Sequence, residues 1–159
     1  MKPRVYVETS VLSYLTALQS RDLVRAAHQQ ITLEWWTRRN QFELFVSEPV
    51  LAEARKGDPV AAARRLAAAE GLPILSATAD AQRLATAFLT AAAIPRKAVI
   101  DAAHVAIAAV HGIEFLVTWN CAHIANALMR PKIEAVCRSA GLVPPMLCTP
   151  EELTNQEEV

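Results

Sequence analysis

The sequence predicts an α/β fold, a parallel sheet with helices on both faces, and three observations predict it. Short β-branched or aromatic runs alternate with longer helical patterns through most of the chain, which places the strands side by side through helical crossovers. The stretch from Ala98 to Val110 is apolar on nearly every side, as expected of a helix buried all round. No Gly/Ser-rich linker divides the 159 residues, so one domain spanning 1–159 is expected, large enough for a proper core.

Val5-Tyr6-Val7 reads as the first strand, and Glu8 stands at its carboxyl end, the edge where open α/β sheets bind ligands. Val11, Leu12, Leu15 and Leu18 suggest a short helix capped by Thr9 or Ser10. A long helix follows from about Asp22, with Val24, Ala27, Ile31 and Trp35 at helical spacing. Trp36 falls one residue off that stripe. Both tryptophans read as core, the alternative being a partner surface for Trp36, and Arg38-Arg39 reads as a solvated pair near the helix end.

Phe42 to Val46 is the second strand, and Ser47 caps a helix with Pro49 near its start. Val50, Leu51 and Ala54 form its apolar side, and Glu48 complements the helix dipole in the first turn. From spacing alone, Glu53 pairs with Lys56 on the surface. Gly57-Asp58-Pro59 turns the chain into an Ala-rich helix reaching Glu70, and Pro73 to Leu75 is a short third strand. Ser76, Thr78 or Asp80 then caps another Ala-rich helix through about Ala93, broken by Ile94-Pro95-Arg96-Lys97.

Only Asp101 and His104 interrupt the apolar helix that follows, three apart and so on one face. A buried Asp is costly unless compensated; the plain alternative is that Asp101 caps a helix beginning at Ala102. His104 reads first as a satisfied core histidine. His111-Gly112 stops the helix, Phe115 to Thr118 is a strand, and Thr118 helps to place Asn120 in the polar loop Trp119 to His123. Ala122 to Cys137 looks helical, interrupted or kinked at Pro131. Met146-Leu147-Cys148 is a last strand, Thr149-Pro150-Glu151-Glu152-Leu153 a helix start, and the tail from about residue 154 is expected to fray.

With 16 basic and 16 acidic residues, the chain is not a general nucleic-acid coat, although a local basic track remains open. Three cysteines without CxxC spacing argue against a disulfide framework and for a reducing cytoplasm. Cys121 and His123 lack the spaced partners of a zinc site. No run approaches a membrane span, and the apolar run before Glu8 is too short for a signal peptide. With four glycines and neither GxGxxG nor GxxxxGK[ST], the chain offers no phosphate cradle, which disfavours a nucleotide-binding enzyme.

Four blocks together resemble the PIN-domain proteins. They are Val5-Tyr6-Val7-Glu8-Thr9-Ser10-Val11-Leu12, Ser47 to Glu53, Asp101 to Ala109, and Leu116-Val117-Thr118-Trp119-Asn120-Cys121-Ala122-His123. Their order and spacing match the family, and the Thr149 to Leu153 ending is similar to one bacterial branch, the VapC-type toxins. The resemblance implies a three-layer α/β/α sandwich with a central parallel sheet. It implies a ribonuclease dependent on Mg²⁺ or Mn²⁺, the toxin of a toxin–antitoxin pair, acting on RNA and dimerising with itself. Carried over by position, the catalytic set is Glu8, Glu53, Asp101 and Asn120, with Glu8, Asp101 and Asn120 on the metal. Ser10, His104, Thr118 and His123 would support them, and Arg96, Lys97, Arg55 or Lys56 would steer the RNA backbone.

The chemistry suits those residue types. Phosphodiester hydrolysis needs a cation to neutralise phosphate oxygens and to ionise water at neutral pH, and hard divalent ions take oxygen ligands. Carboxylates converging without a cation would raise one another's pKa. Two departures from the family pattern stand out: Glu8 where Asp is usual, and neutral Asn120 where many relatives carry an acid. They motivate the alternative of a degenerate PIN domain that binds RNA or protein without catalysis.

Overall fold

The computed structural model describes residues 1–154. Its five strands, β1 (Arg4–Val7), β2 (Glu43–Ser47), β3 (Ile74–Leu75), β4 (Phe115–Val117) and β5 (Met146–Cys148), form one parallel sheet in the order β3-β2-β1-β4-β5. The first two crossovers carry α1 (Thr9–Thr16), α2 (Leu23–Thr37), α3 (Glu48–Ala54) and α4 (Pro59–Ala69). The chain then returns past β1 through α5 (Ala79–Thr90) and α6 (Val99–Val110), and α7 (Arg130–Ser139) links β4 to β5. Right-handed crossovers put α1–α4 on one face and α5–α7 on the other. The packing agrees, with α1 against α2, α3 and α4, and α5 against α6 and α7. The expected α/β/α sandwich is the fold observed.

Reversal of strand order after β1 creates a switch point between β1 and β4, beyond whose carboxyl ends ligands bind in open α/β sheets. β1 is central and buried from Val5 to Val7, and Tyr6 lies level with Phe45 on one side and Leu116 on the other. Pairing continues one residue further, the Glu8 N–H donating to Val117 O at 3.1 Å. At that same edge α3 reaches across to pack on α6. The two helical layers therefore meet over the switch point.

Several local expectations are corrected. α1 is capped by Glu8 and not by Thr9 or Ser10, which lie in its first turn. α2 begins after its Asp22 cap as expected, yet its buried face is Gln29, Thr32 and Trp35, while Val24 is 64% exposed. Those polar residues tolerate burial because they are bonded. Gln29 takes the Ser20 N–H and donates to Leu18 O, and Thr32 takes the Trp119 indole N–H at 2.8 Å. Trp36 packs half-buried against the core with the Arg39 guanidinium over its ring.

α6 is buried from Ala102 to Ala109 apart from the half-buried Ala103, but its opening residues Val99 and Ile100 are exposed. Residues 122–129 form turns, and α7 starts only at Arg130, because Pro131 sits in its first turn, where its missing N–H costs nothing, and so opens the helix. Thr149 and Glu152 bond reciprocally as a capping box would, yet residues 150–153 make only a turn among the described residues. The expected fraying of the last residues falls on 155–159, outside those described.

Candidate active site

Glu8 is 5% exposed although it is ionisable. Its carboxylate folds back over the start of α1, where Oε2 accepts the Ser10 N–H at 2.7 Å. Oε1 accepts the hydroxyls of Ser10 at 2.7 Å and Thr118 at 2.5 Å. Ser10 also accepts the Trp119 N–H at 2.8 Å, so one serine ties the ends of β1 and β4 together.

Glu53 does not pair with Lys56 on the surface, as its spacing suggested. Its Oε1 accepts the Thr9 hydroxyl at 2.6 Å and lies 2.6 Å from His104 Nε2. Burial pushes its carboxyl up, but the hydrogen bonds from His104 and Thr9, together with nearby positive charge that includes Lys56, leave it below the ordinary carboxylate range. Oε2 carries no hydrogen bond among the described residues. His104 is 1% exposed, with its other nitrogen on the Tyr6 hydroxyl. It is the bonded core histidine expected, and it also touches the site.

Asp101 lies within the first turn of α6, which Ala98 precedes without a side-chain cap, so Asp101 is not the cap of a later helix. Its Oδ2 lies 2.8 Å from His123 Nδ1. The His123 backbone N–H donates to Asn120 Oδ1, and the Asn120 N–H donates to Thr118 Oγ1, each at 2.9 Å. Asp101, His123, Asn120, Thr118 and Glu8 are thus joined by one unbroken run of hydrogen bonds. Lys97 shares a cavity of about 350 Å³ with Asp101 and His123. Arg55, Lys56 and Arg96 are exposed.

The donor set suits a hard divalent cation. Glu8, Glu53 and His104 each offer an atom within 4.8 Å of the others, and among the described residues neither carboxylate has a Lys or Arg at ion-pair distance. Paired carboxylates at the carboxyl edge of a sheet, held by hydroxyls, a backbone amide and an imidazole instead of by Lys or Arg, suit an oxygen-ligated divalent cation. Sequence reasoning missed Thr9 as a partner of Glu53, and Tyr6 as a partner of His104. The one available signal was Tyr6 itself, since a phenol inside a buried strand has to place its O–H.

Compared by sequence, the chain matches no family model and no curated protein. Its fold, however, is shared with solved structures. One is VapC20 of Mycobacterium tuberculosis, described as a sarcin–ricin-loop-cleaving toxin, at 19% identity and a TM-score of 0.56 over 87% of this chain and 96% of that one. Another is VapBC2 of Rickettsia felis, bound to a DNA fragment from its promoter, at 15% identity and a TM-score of 0.55 over 92% of this chain and 98% of that one. The architecture is therefore the one these two structures share. No helix among the described residues is long and apolar enough to cross a membrane.

Proposed function

We propose that the protein is a divalent-metal-dependent endoribonuclease that hydrolyses RNA phosphodiester bonds, the toxin of a type II toxin–antitoxin pair. The observation that carries this reading is the approach of Glu8 to Glu53 within 4.8 Å at the switch point of the sheet, with hydrogen bonds running on from Glu8 through Thr118, Asn120 and His123 to Asp101. Glu8, Asp101 and Asn120 would hold Mg²⁺ or Mn²⁺, with Glu53 completing the anionic group. The ion supplies charge neutralisation at the phosphate and acidifies attacking water.

The chain's own groups do the remaining work. Thr118 and Ser10 fix Glu8, His123 orients Asp101 and Asn120, and Lys97 at the cavity beside Asp101 draws in the RNA backbone. Attack by water needs no covalent nucleophile. Further support comes from the shared fold: VapC20 is a toxin that cleaves RNA, and VapBC2 was solved on promoter DNA. The reading includes an antitoxin partner, a homodimer, a single domain over residues 1–159 and a cytoplasmic location, to which three free cysteines are suited.

The test is incubation of purified protein with single-stranded RNA and Mn²⁺, beside Asp101→Asn. The wild type should cleave and the variant should not. Equal cleavage by both would assign the activity to a contaminant and end the claim.

A further inference from the structure

Tyr6 carries a hydroxyl that β1 does not need. The residue is fully buried, and its oxygen lies 2.5 Å from Ser47 Oγ and 2.6 Å from His104 Nδ1, with the two rings edge to face. On the far side of the imidazole, Nε2 lies 2.6 Å from Glu53 Oε1. Ser47, Tyr6 and His104 are each at most 1% exposed, which leaves no room for bulk water to complete the set.

Counting protons gives the run a direction. Ionised Glu53 only accepts, so Thr9 and His104 Nε2 both donate to its Oε1. A neutral imidazole with its proton on Nε2 has a bare Nδ1, which accepts the Tyr6 O–H. Burial holds the Tyr6 proton firmly in place. The Tyr6 oxygen accepts the Ser47 O–H in turn, and Ser47 Oγ receives the Val50 N–H at 3.3 Å as the cap of α3. Each group is used once, in one sense, from the α3 N-terminus to Glu53.

We propose that Tyr6 and His104 are positioning residues for Glu53: the phenol fixes the imidazole as an Nε2–H donor, which holds Oε1 and leaves Oε2 without a protein partner. This rests on the ribonuclease reading for what Glu53 does there. His104 is then not a metal ligand, although its Nε2 lies among the carboxylate oxygens. Glu53 lies against Glu8, a proposed ligand, and groups that orient the carboxylates of a metal site alter metal affinity by about 10–100-fold when removed.

The test uses the whole chain with ¹⁵N-labelled histidine and long-range ¹H–¹⁵N correlations, first without metal and then with saturating Mg²⁺. His104 should show the Nε2–H pattern in both states, and Tyr6→Phe, which leaves Nδ1 without its donor, should move the Nδ1 resonance away from its wild-type position. By calorimetry, Tyr6→Phe and His104→Ala should weaken Mg²⁺ binding by about 10–100-fold. His104→Gln, whose amide can donate from the same place, should stay close to wild type. Four results would overturn the proposal: an Nδ1–H or doubly protonated His104, loss of Nε2–H when Mg²⁺ is added, a wild type that takes up no Mg²⁺, or unchanged Mg²⁺ affinity in Tyr6→Phe. The last is what a merely structural role gives, a lower melting temperature with the same affinity well below it. If Tyr6→Phe does not fold, the wild-type tautomer and the contrast of His104→Gln with His104→Ala decide. Failure of the ribonuclease reading shows separately, as a wild type that binds Mg²⁺ but leaves RNA intact.

Discussion

His123 meets Asp101 with its ring and Asn120 with its backbone: Nδ1 lies 2.8 Å from Asp101 Oδ2, and its N–H donates to Asn120 Oδ1 at 2.9 Å. One residue therefore sets two of the proposed ligands. The contact between the two side chains is partly exposed, at 30% and 22%, so it contributes at most about 1 kcal/mol to stability. His123→Ala is expected to weaken Mg²⁺ binding by about 10–100-fold with little change in melting temperature. Calorimetric titration beside a thermal melt separates the two effects, and a large loss of stability with intact affinity would count against the assignment.

Thr118 joins the other half of the site, donating to Glu8 and accepting from Asn120 while fully buried. Thr118→Val keeps its shape and removes the hydroxyl. The Asn120 N–H then loses its acceptor and Glu8 one of three donors. The expected cost is about 1–3 kcal/mol, read from urea unfolding at neutral pH, together with weaker cation binding. A valine variant as stable as wild type would mean that water replaces the hydroxyl.

Glu53 makes acid stability depend on Thr9. Hydrogen bonding holds its folded-state carboxyl below the ordinary range despite burial. A depressed carboxyl stabilises the fold above the unfolded-state pKa, about 4.3 for Glu, and that contribution is lost as pH falls through the folded value. Thr9→Val should therefore destabilise by about 1 kcal/mol at pH 7 and by less at pH 3. Equal losses at both pH values, in paired urea titrations, would show that Thr9 acts through packing alone.

Strands and helix starts were legible because their signals are local. Short apolar runs marked β1, β2 and β4, the cap at Ser47 is where the side-chain chemistry put it, and Pro59 opens α4 as its position suggested. The site was legible only in part. Glu53 has partners 44 and 51 residues away, so its spacing to Lys56 was the only relation visible along the chain. The buried face of α2 was misread for the same reason: Gln29 and Thr32 are interior because Leu18, Ser20 and Trp119 satisfy them. Pro131 was ambiguous in itself, since proline opens helices as readily as it breaks them.

The cysteines give an alkaline prediction. Burial pushes the Cys148 thiol up to about 12 and Cys137 up to about 11, and it raises Cys121 as well, although that residue is exposed. The thiolate is the reactive form, so at pH 8 iodoacetamide should modify Cys121 slowly and the other two only after unfolding, as mass spectrometry would show. The folded state also holds these protons longer than the unfolded chain. Stability should therefore fall as pH rises above about 8.5, the ordinary thiol value. Rapid labelling of Cys148 in folded protein would contradict its burial.

Cation-linked stability distinguishes a working site from a degenerate one. A cation that binds only the folded state adds RT ln(1 + [L]/Kd), about 2.7 kcal/mol at one hundred times Kd. For a chain of this size each kcal/mol raises the melting temperature by about 2–4 °C, so saturating Mg²⁺ or Mn²⁺ should add about 5–10 °C, reversed by EDTA. The comparison is made at matched ionic strength with NaCl, because general screening also relieves repulsion between Glu8 and Glu53. Asp101→Asn removes a proposed ligand that is partly exposed, so the variant should fold and lose most of the gain. Glu8→Gln should lose it too, while an amide oxygen still accepts the Ser10 N–H that caps α1. If the wild type gains nothing beyond NaCl, the carboxylates hold no metal, and the domain binds its partner without chemistry.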